Sequence, residues 1–276
     1  MTQAEKYINE QIMVHELTPD ELEDLKYARS LLENPGLAIK ISNAIGTPIE
    51  KGIDLLPKGW YEFVDKATNK ALEVATSSAL FTMKRSRKDA ANVTHKLVAA
   101  GLGAAGGLWG LPALSIELPA STTVMLRSIA DIARSESHDL DDPLVKIACI
   151  EVFALGGPGK SDDAAETGYF AVRTALAKTL HDAAGQLAAS GLAESSGSAL
   201  VSIIAKVSSR FGVQVSEKIA AQALPLLGAA GGAVINTLFI DHFQSMARGH
   251  FIVRRLEGKY GQEFIRSIYG CLGESL

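Results

Sequence analysis

The chain of 276 residues is poor in the features that assign a protein quickly. It has two cysteines, Cys149 and Cys271, far apart and without metal-type spacing. That excludes a disulfide scaffold and leaves two reduced thiols as the expectation. Aromatic residues make up 6% and charged residues 21%, the latter slightly below a usual soluble domain. There is no basic excess: 27 Lys+Arg stand against 31 Asp+Glu, for a net charge of −4 and a pI near 5.9. A general nucleic-acid binder would show the opposite balance. No His-Glu-x-x-His, His-x-x-x-His or Glu-x-x-His occurs, so the usual helical zinc and di-iron signatures are missing. Gly-x-Ser-x-Gly and Ser-x-x-Lys are missing too, which removes common serine-hydrolase cues. No metal and no cofactor is expected. The N-terminal stretch lacks a charged region followed by an apolar one, so no secretory signal is read. Long apolar/polar alternation and Asn-Gly or Asp-Gly hairpin signals are also wanting, which argues against strands.

What is abundant is small. The sequence holds 39 Ala and 25 Gly, is 47% hydrophobic and has a mean hydropathy of +0.14. Helix signals dominate. Thr18-Pro19-Asp20-Glu21 is a capping box with proline at the first helical position, opening a helix that bears Leu22, Leu25, Tyr27 and Leu32. It should stop at Asn34-Pro35. Thr47-Pro48-Ile49-Glu50 reads as a second start of the same kind. From Lys58 to Met83, the residues Trp60, Phe63, Val64, Ala67, Ala71, Val74, Ala75 and Ala79 recur at three and four, the mark of one buried face. Asp142-Pro143 opens another helix and Gly156-Gly157 closes it. Ser161 can cap a helix running to about Ser190, and Ser216 can cap the next. Connections are expected at 34–36, 56–59, 138–142, 156–161 and 190–196. The expected fold is all-α: a single multi-helix domain at 18–270 around two Gly/Ala-rich apolar helices, after an N-terminal segment at 1–17. Residues 18–96 could form an amphipathic subdomain.

Twenty uncharged residues lie between Lys96 and Glu117, and twenty-two between Lys218 and Asp241. Each run is long enough to cross a bilayer, which takes about 20 residues. Each carries a proline, Pro112 or Pro225, and the pentapeptide Gly-Ala-Ala-Gly-Gly, at 103–107 and 228–232. The glycines at 103, 107, 228 and 232 give the G-x-x-x-G spacing that lets helix backbones approach closely. Burial in protein, insertion into lipid and true spanning all fit. Ala and Gly contribute little insertion energy, which weighs against spanning. Lys84, Arg85, Arg87 and Lys88 precede the first run and suit anionic headgroups, though a solvated turn would look the same. Trp109 suits an interface or a core. Lys84, Arg85, Arg87, Lys88, Gly103, Gly107, Trp109, Gly228 and Gly232 are therefore the candidate lipid or membrane contacts.

Ala154-Leu-Gly-Gly-Pro-Gly159-Lys160-Ser161 satisfies a loose phosphate-loop pattern. A phosphate loop needs a strand before it, and Leu144, Ile147, Ala148, Val152 and Leu155 keep helical spacing instead. A Gly/Pro turn between helices is expected. Polar residues on apolar helices are more informative, because buried carboxylates must find partners. If the chain is an enzyme, Glu117, Glu151, His242 and His250 are the candidate catalytic set. Glu166, Tyr169 and Arg173 share a helix face, and with Asn236, Arg254, Arg255 and Glu257 they make a candidate structural network. Glu166 with Arg173, and Glu117 or Glu151 with Arg254 or Arg255, are the expected pairs.

Dispersed motifs then suggest a family. Glu117-Leu-Pro119 with Thr122-Thr123 and Ser128-Ile-Ala130, Val152-Phe-Ala-Leu-Gly156, and Glu166-Thr-Gly-Tyr169 with Arg173 resemble the bacterial EcsC family. So do Pro225-Leu-Leu-Gly-Ala229, Asn236, His242-Phe243, Ala247, Leu256-Glu257 and Tyr260-Gly261. The resemblance covers roughly 18–270. It implies a bacterial, all-helical protein but carries over no catalytic residue. A looser analogy, resting on the Gly/Ala-rich uncharged segments, connects it to the eukaryotic senescence-type lipid-associating domain. The expected function is a non-enzymatic lipid- or membrane-interacting protein whose Gly/Ala-rich helices form an apolar groove or insertion surface. Two alternatives stay open: a hydrolase or metal-dependent enzyme built on the carboxylate/His set, and an interaction scaffold for a membrane complex. Expected partners are a lipid or membrane surface or a membrane-protein complex, not nucleic acid. The expected location is the cytoplasm, with peripheral attachment to the inner membrane compatible.

Overall fold

A computed structural model describes residues 17–33, 36–80, 111–157, 168–190, 198–224 and 228–274. Among them the chain is all-α, one helical domain of ten α-helices. In chain order these are α1 (Pro19–Leu32), α2 (Leu37–Ile45), α3 (Glu50–Ile53), α4 (Trp60–Ala75), α5 (Leu111–Ser135), α6 (Pro143–Glu151), α7 (Gly168–Ser190), α8 (Ser198–Gln222), α9 (Gly228–Tyr260) and α10 (Gln262–Glu274). A π-helical turn, Thr76–Leu80, prolongs α4, and a 3-10 turn, Val152–Ala154, prolongs α6.

Local chemistry explains several boundaries. The Thr18 hydroxyl accepts the Glu21 amide while the Glu21 carboxylate accepts the Thr18 amide, so the capping box closes both ways. Asp142 accepts the Leu144 amide at 2.8 Å, and Pro143 supplies the first helical φ of α6. Two expected starts fail. At Thr47-Pro48 only the four-residue α3 forms, and its cap residue is Ile49, whose amide goes to the Ser42 hydroxyl. Ser216 caps nothing: α8 runs straight through it, and its hydroxyl bonds back to the Gly212 carbonyl. The apolar stripe of α8 (Ile204, Val207, Phe211 and Val215) continues past that position into Ile219, so packing keeps the helix going.

The second uncharged run is likewise not one helix. Its first residues finish α8 at Gln222, the chain turns at Ala223–Leu224, and α9 starts at Gly228. Proline disfavours the helical conformation of the residue before it, here Leu224, and that ends α8. Among the described residues no helix is long and apolar enough to cross a membrane.

The organising element is α9, 33 residues and so about 50 Å long. It packs on α1, α5, α10, α8 and α2. Phe239, Phe243 and Phe251 on it are fully buried. Phe243 meets Phe153 at 5.2 Å and Phe211 at 5.4 Å between ring centres, joining the end of α6 to α8 and α9 in one aromatic knot. α4 completes the layer against α5 and α8. Two glycines outside the pentapeptides bring helices into close approach: a Cβ at Gly52 would run into the Ala220 carbonyl of α8, and one at Gly249 would meet Leu32 and Ala28 of α1.

Candidate functional site

α6, α7, α9 and α10 enclose the site. On α9, His250, Arg254 and Glu257 follow at four and three, which sets them on one face. On α7, Tyr169, Phe170, Arg173, Ala177 and Leu180 line up in the same way. Glu151 is the last residue of α6. Between these helices and α10 lies a cavity of about 510 Å³, lined among others by Glu151, Phe170, Arg173, Leu180, Arg254, Glu257 and Arg266. A second cavity of about 400 Å³, with Glu136, His138 and Asp142 in its wall, shares Leu144, Arg254, Glu257 and Gln262 with the first.

A chain of polar contacts runs behind the first cavity. Arg173 donates to both Glu257 oxygens, at 2.6 and 2.9 Å, a bidentate pair. It also donates to the Tyr169 hydroxyl at 3.3 Å. That hydroxyl lies 3.0 Å from His250 Nδ1. His250 Nε2 in turn stands 3.5 Å from Glu151 Oε2, too far for a hydrogen bond. Among the described residues neither Glu151 oxygen nor His250 Nε2 has a hydrogen-bond partner, although Glu151 is 1% exposed and His250 wholly buried.

The chain dictates where protons sit. Arginine only donates, so the Tyr169 oxygen accepts from Arg173. Among the described residues, the one remaining acceptor for the Tyr169 proton is His250 Nδ1. Burial, reinforced by Arg254 and Arg173, pushes His250 well below its ordinary value and keeps it neutral. Its own proton therefore sits on Nε2, facing Glu151. Contact between these two residues is then not an ion pair, and a protonated Nε2 is no metal ligand. Burial also raises Glu151, with Arg173 and Arg254 opposing and Glu257 adding to the rise. Tyr169 is raised by burial. Arg173 sits above its ordinary value because Tyr169 and Glu257 outweigh its burial. Among the described residues no group of three or more His, Cys, Asp or Glu could hold a metal ion.

Arg254 differs from its neighbours. It lines both cavities, and it has no hydrogen bond or ion pair among the described residues.

The remaining residues singled out in the sequence distribute as follows. Glu117 lines neither cavity; it is buried against Lys218, whose ammonium donates to it at 2.6 Å from a fully buried position. The expected pairing of Glu117 or Glu151 with Arg254 or Arg255 does not occur. Arg255 instead reaches Asp24 at 2.8 Å and Glu136 at 3.4 Å, tying α9 to α1 and to the end of α5. Arg173 takes Glu257, while Glu166 lies outside the described residues. His242 is buried away from both cavities, packed on Gly156, where a Cβ would come within 2.6 Å of its ring. Burial takes His242 down to about 3, and neither ring nitrogen has a partner among the described residues. Asn236 and Gly232 are buried in α9, whose first residue is Gly228. Ala154 closes the 3-10 turn after α6, so a helix and not a strand leads into Gly156-Gly157; Pro158 to Ser161 lie outside the described residues. Lys84, Arg85, Arg87, Lys88, Gly103, Gly107 and Trp109 lie outside the described residues.

A family model for the EcsC protein family matches residues 34–256, most of the chain. The chain belongs to the EcsC family. No curated protein and no solved structure matches it.

Sequence reasoning overlooked two members of this EcsC-family core. Lys218 was hidden in an apolar stripe, and its place there, seven residues after Phe211 and three after Val215, is the available signal. His138 sends Nε2 to the Phe251 carbonyl, 2.9 Å away and 113 residues on, with no local cue.

Proposed function

We propose that this EcsC-family chain is a non-enzymatic binder of an acidic amphiphile, with the acidic group on Arg254 and the apolar part against Leu144, Phe170 and Leu180. A phospholipid headgroup is the source that extends the lipid-interaction expectation; a soluble phosphoester has the same chemistry. The observation that carries the reading is Arg254, a guanidinium facing two cavities with no counter-ion among the described residues. Two further features support it. Arg173 is already matched by Glu257, and among the described residues Glu151 makes no ion pair with Arg254, so the charge of Arg254 is left for a ligand. Arginine's planar fork suits phosphate or carboxylate, and an apolar wall with a few placed polar groups suits a small ligand.

Flotation of wild type and Arg254→Gln with vesicles of phosphatidylglycerol in phosphatidylcholine tests this, beside titration with soluble glycerol phosphate. The reading predicts that Arg254→Gln loses vesicle binding. Retention of glycerol phosphate by wild type, without flotation, would assign the site to a soluble ligand. Equal flotation of both proteins, with no Arg254-dependent phosphate binding, overturns it.

One observation favours a second reading, an acid–base enzyme. Of the four catalytic candidates, Glu151 and His250 come within 3.5 Å of each other, Glu151 at the wall of a cavity and His250 behind it, oriented by a third group. Release of nitrophenol from a nitrophenyl ester, lost in Glu151→Gln, would support it; an inert wild type would sink it.

A further inference from the structure

We infer that Glu151 recognises a hydrogen-bond donor on the ligand, so that the site selects an aminoalkyl or hydroxyalkyl phosphate over a plain alkyl phosphate. This rests on the binding reading above and names the ligand class for the same cavity.

The argument starts from an unmet demand. Two carboxyl oxygens that are buried and without a partner among the described residues cost free energy. Native proteins rarely carry such groups without a purpose. Neighbouring side chains do not relieve this one. Arg173 has turned to Glu257, and Arg254 makes no ion pair with Glu151 within 4.0 Å. His250 presents its Nε2 proton from behind, but at 3.5 Å. Glu151 nonetheless lines the cavity with its carboxyl buried just beneath the wall, so a ligand seated there is placed to reach its free lone pairs. Only a donor satisfies them, either a hydroxyl or an ammonium.

Spacing limits the ligand further. His250 and Arg254 are four residues apart on α9, about 6 Å along the axis. Glu151 lies 3.5 Å from His250 and makes no ion pair with Arg254, so the proposed ligand carries its donor and its anion on separate groups joined by a short link. A two- or three-carbon chain between phosphate and hydroxyl or ammonium is such a link. Phosphoethanolamine and glycerol phosphate have this form, whether free or as lipid headgroups.

Calorimetric titration of the full chain with ethyl phosphate, O-phosphoethanolamine and sn-glycerol 3-phosphate tests the inference. Wild type should bind at least one of the donor-bearing probes about ten-fold more tightly than ethyl phosphate, the effect of one charge-assisted hydrogen bond. Glu151→Gln should bring that ratio close to unity. If wild type binds all three equally and Arg254→Gln abolishes binding, the inference is wrong and the binding reading stands. If wild type binds none of them and no phosphatidylethanolamine or phosphatidylglycerol vesicle, both fail. The wild-type ratio decides by itself, whether or not the variant folds. Titration with vesicles of those two lipids separates a headgroup from a free phosphoester.

Discussion

The Tyr169 hydroxyl, 3.0 Å from His250 Nδ1 and supplied with a proton donor by Arg173, fixes the imidazole as its Nε2–H tautomer. This places a neutral N–H donor behind Glu151 at the cavity wall. The first prediction follows from it. Nitrogen-15 NMR of the His250 ring should show Nε2 protonated in wild type and a mixture of tautomers in Tyr169→Phe. Loss of the hydroxyl leaves a buried nitrogen unsatisfied, so Tyr169→Phe should also cost about 1–2 kcal/mol in urea unfolding. An unchanged His250 spectrum would show that something other than Tyr169 sets the tautomer.

A second buried pair behaves differently. Lys218 and Glu117 join α8 to α5 at 2.6 Å, with 0% and 8% of their side chains exposed. Lys218→Met alone strands a carboxylate in the core and should cost about 3–5 kcal/mol, whereas the double variant Glu117→Gln with Lys218→Met should recover most of that. Urea unfolding of the two singles and the double measures the coupling. Simple additivity would mean that the two charges are independently solvated.

These two pairs mark the boundary of what could be read without a structure. Thr18 with Glu21 and Asp142 with Leu144 were legible, because capping operates over two or three residues and leaves a local pattern. Most of the buried face of α4 was legible from period alone, since Trp60, Val64, Ala71 and Ala75 all reach the core, whereas Phe63, read onto the same face, stays exposed. Glu151 and His250 were visible as polar residues on apolar helices, but not their meeting, which depends on how α6 leans on α7 and α9. Arg173 had a nearby acid in Glu166, yet its partner Glu257 lies 84 residues away. Nothing local distinguishes those choices. Ser216 looked like a cap because its residue type is right; the apolar stripe carried through it decides otherwise.

Stability should depend on pH through Glu217 of α8. Burial, reinforced by the charge of Glu50 and opposed by the Ala38 amide, raises its carboxyl from 4.5 to about 7. A raised folded value means that the folded state holds the proton more tightly than the unfolded chain. Its stabilising contribution is complete below about pH 4.5 and is lost as pH rises through about 7. Glu217→Gln keeps an acceptor for Ala38 and cannot ionise. Its melting temperature relative to wild type should therefore climb between pH 5 and pH 8, by a few degrees. A constant difference across that range would place the carboxylate in water.

Two glycines of α9 should respond in opposite directions. A Cβ at Gly249 would lie 2.7 Å from Leu32 Cγ and 2.9 Å from the Ala28 carbonyl oxygen. The carbonyl belongs to a helix backbone and cannot step aside, so Gly249→Ala should push α1 off α9 and cost about 1–3 kcal/mol. A Cβ at Gly258 meets nothing within 4 Å. Gly258→Ala should then stabilise by about 0.5–1 kcal/mol, because alanine loses less backbone freedom in a helix. Gly249 also precedes His250, so the seat of α1 helps set the rotation that turns His250 toward Glu151 and Arg254 toward the cavities. Thermal unfolding gives the two signs, and the His250 ring resonances report the rotation. Gly249→Ala should move those resonances and Gly258→Ala should not; equal melting temperatures for both variants would refute the close approach of α1 to α9.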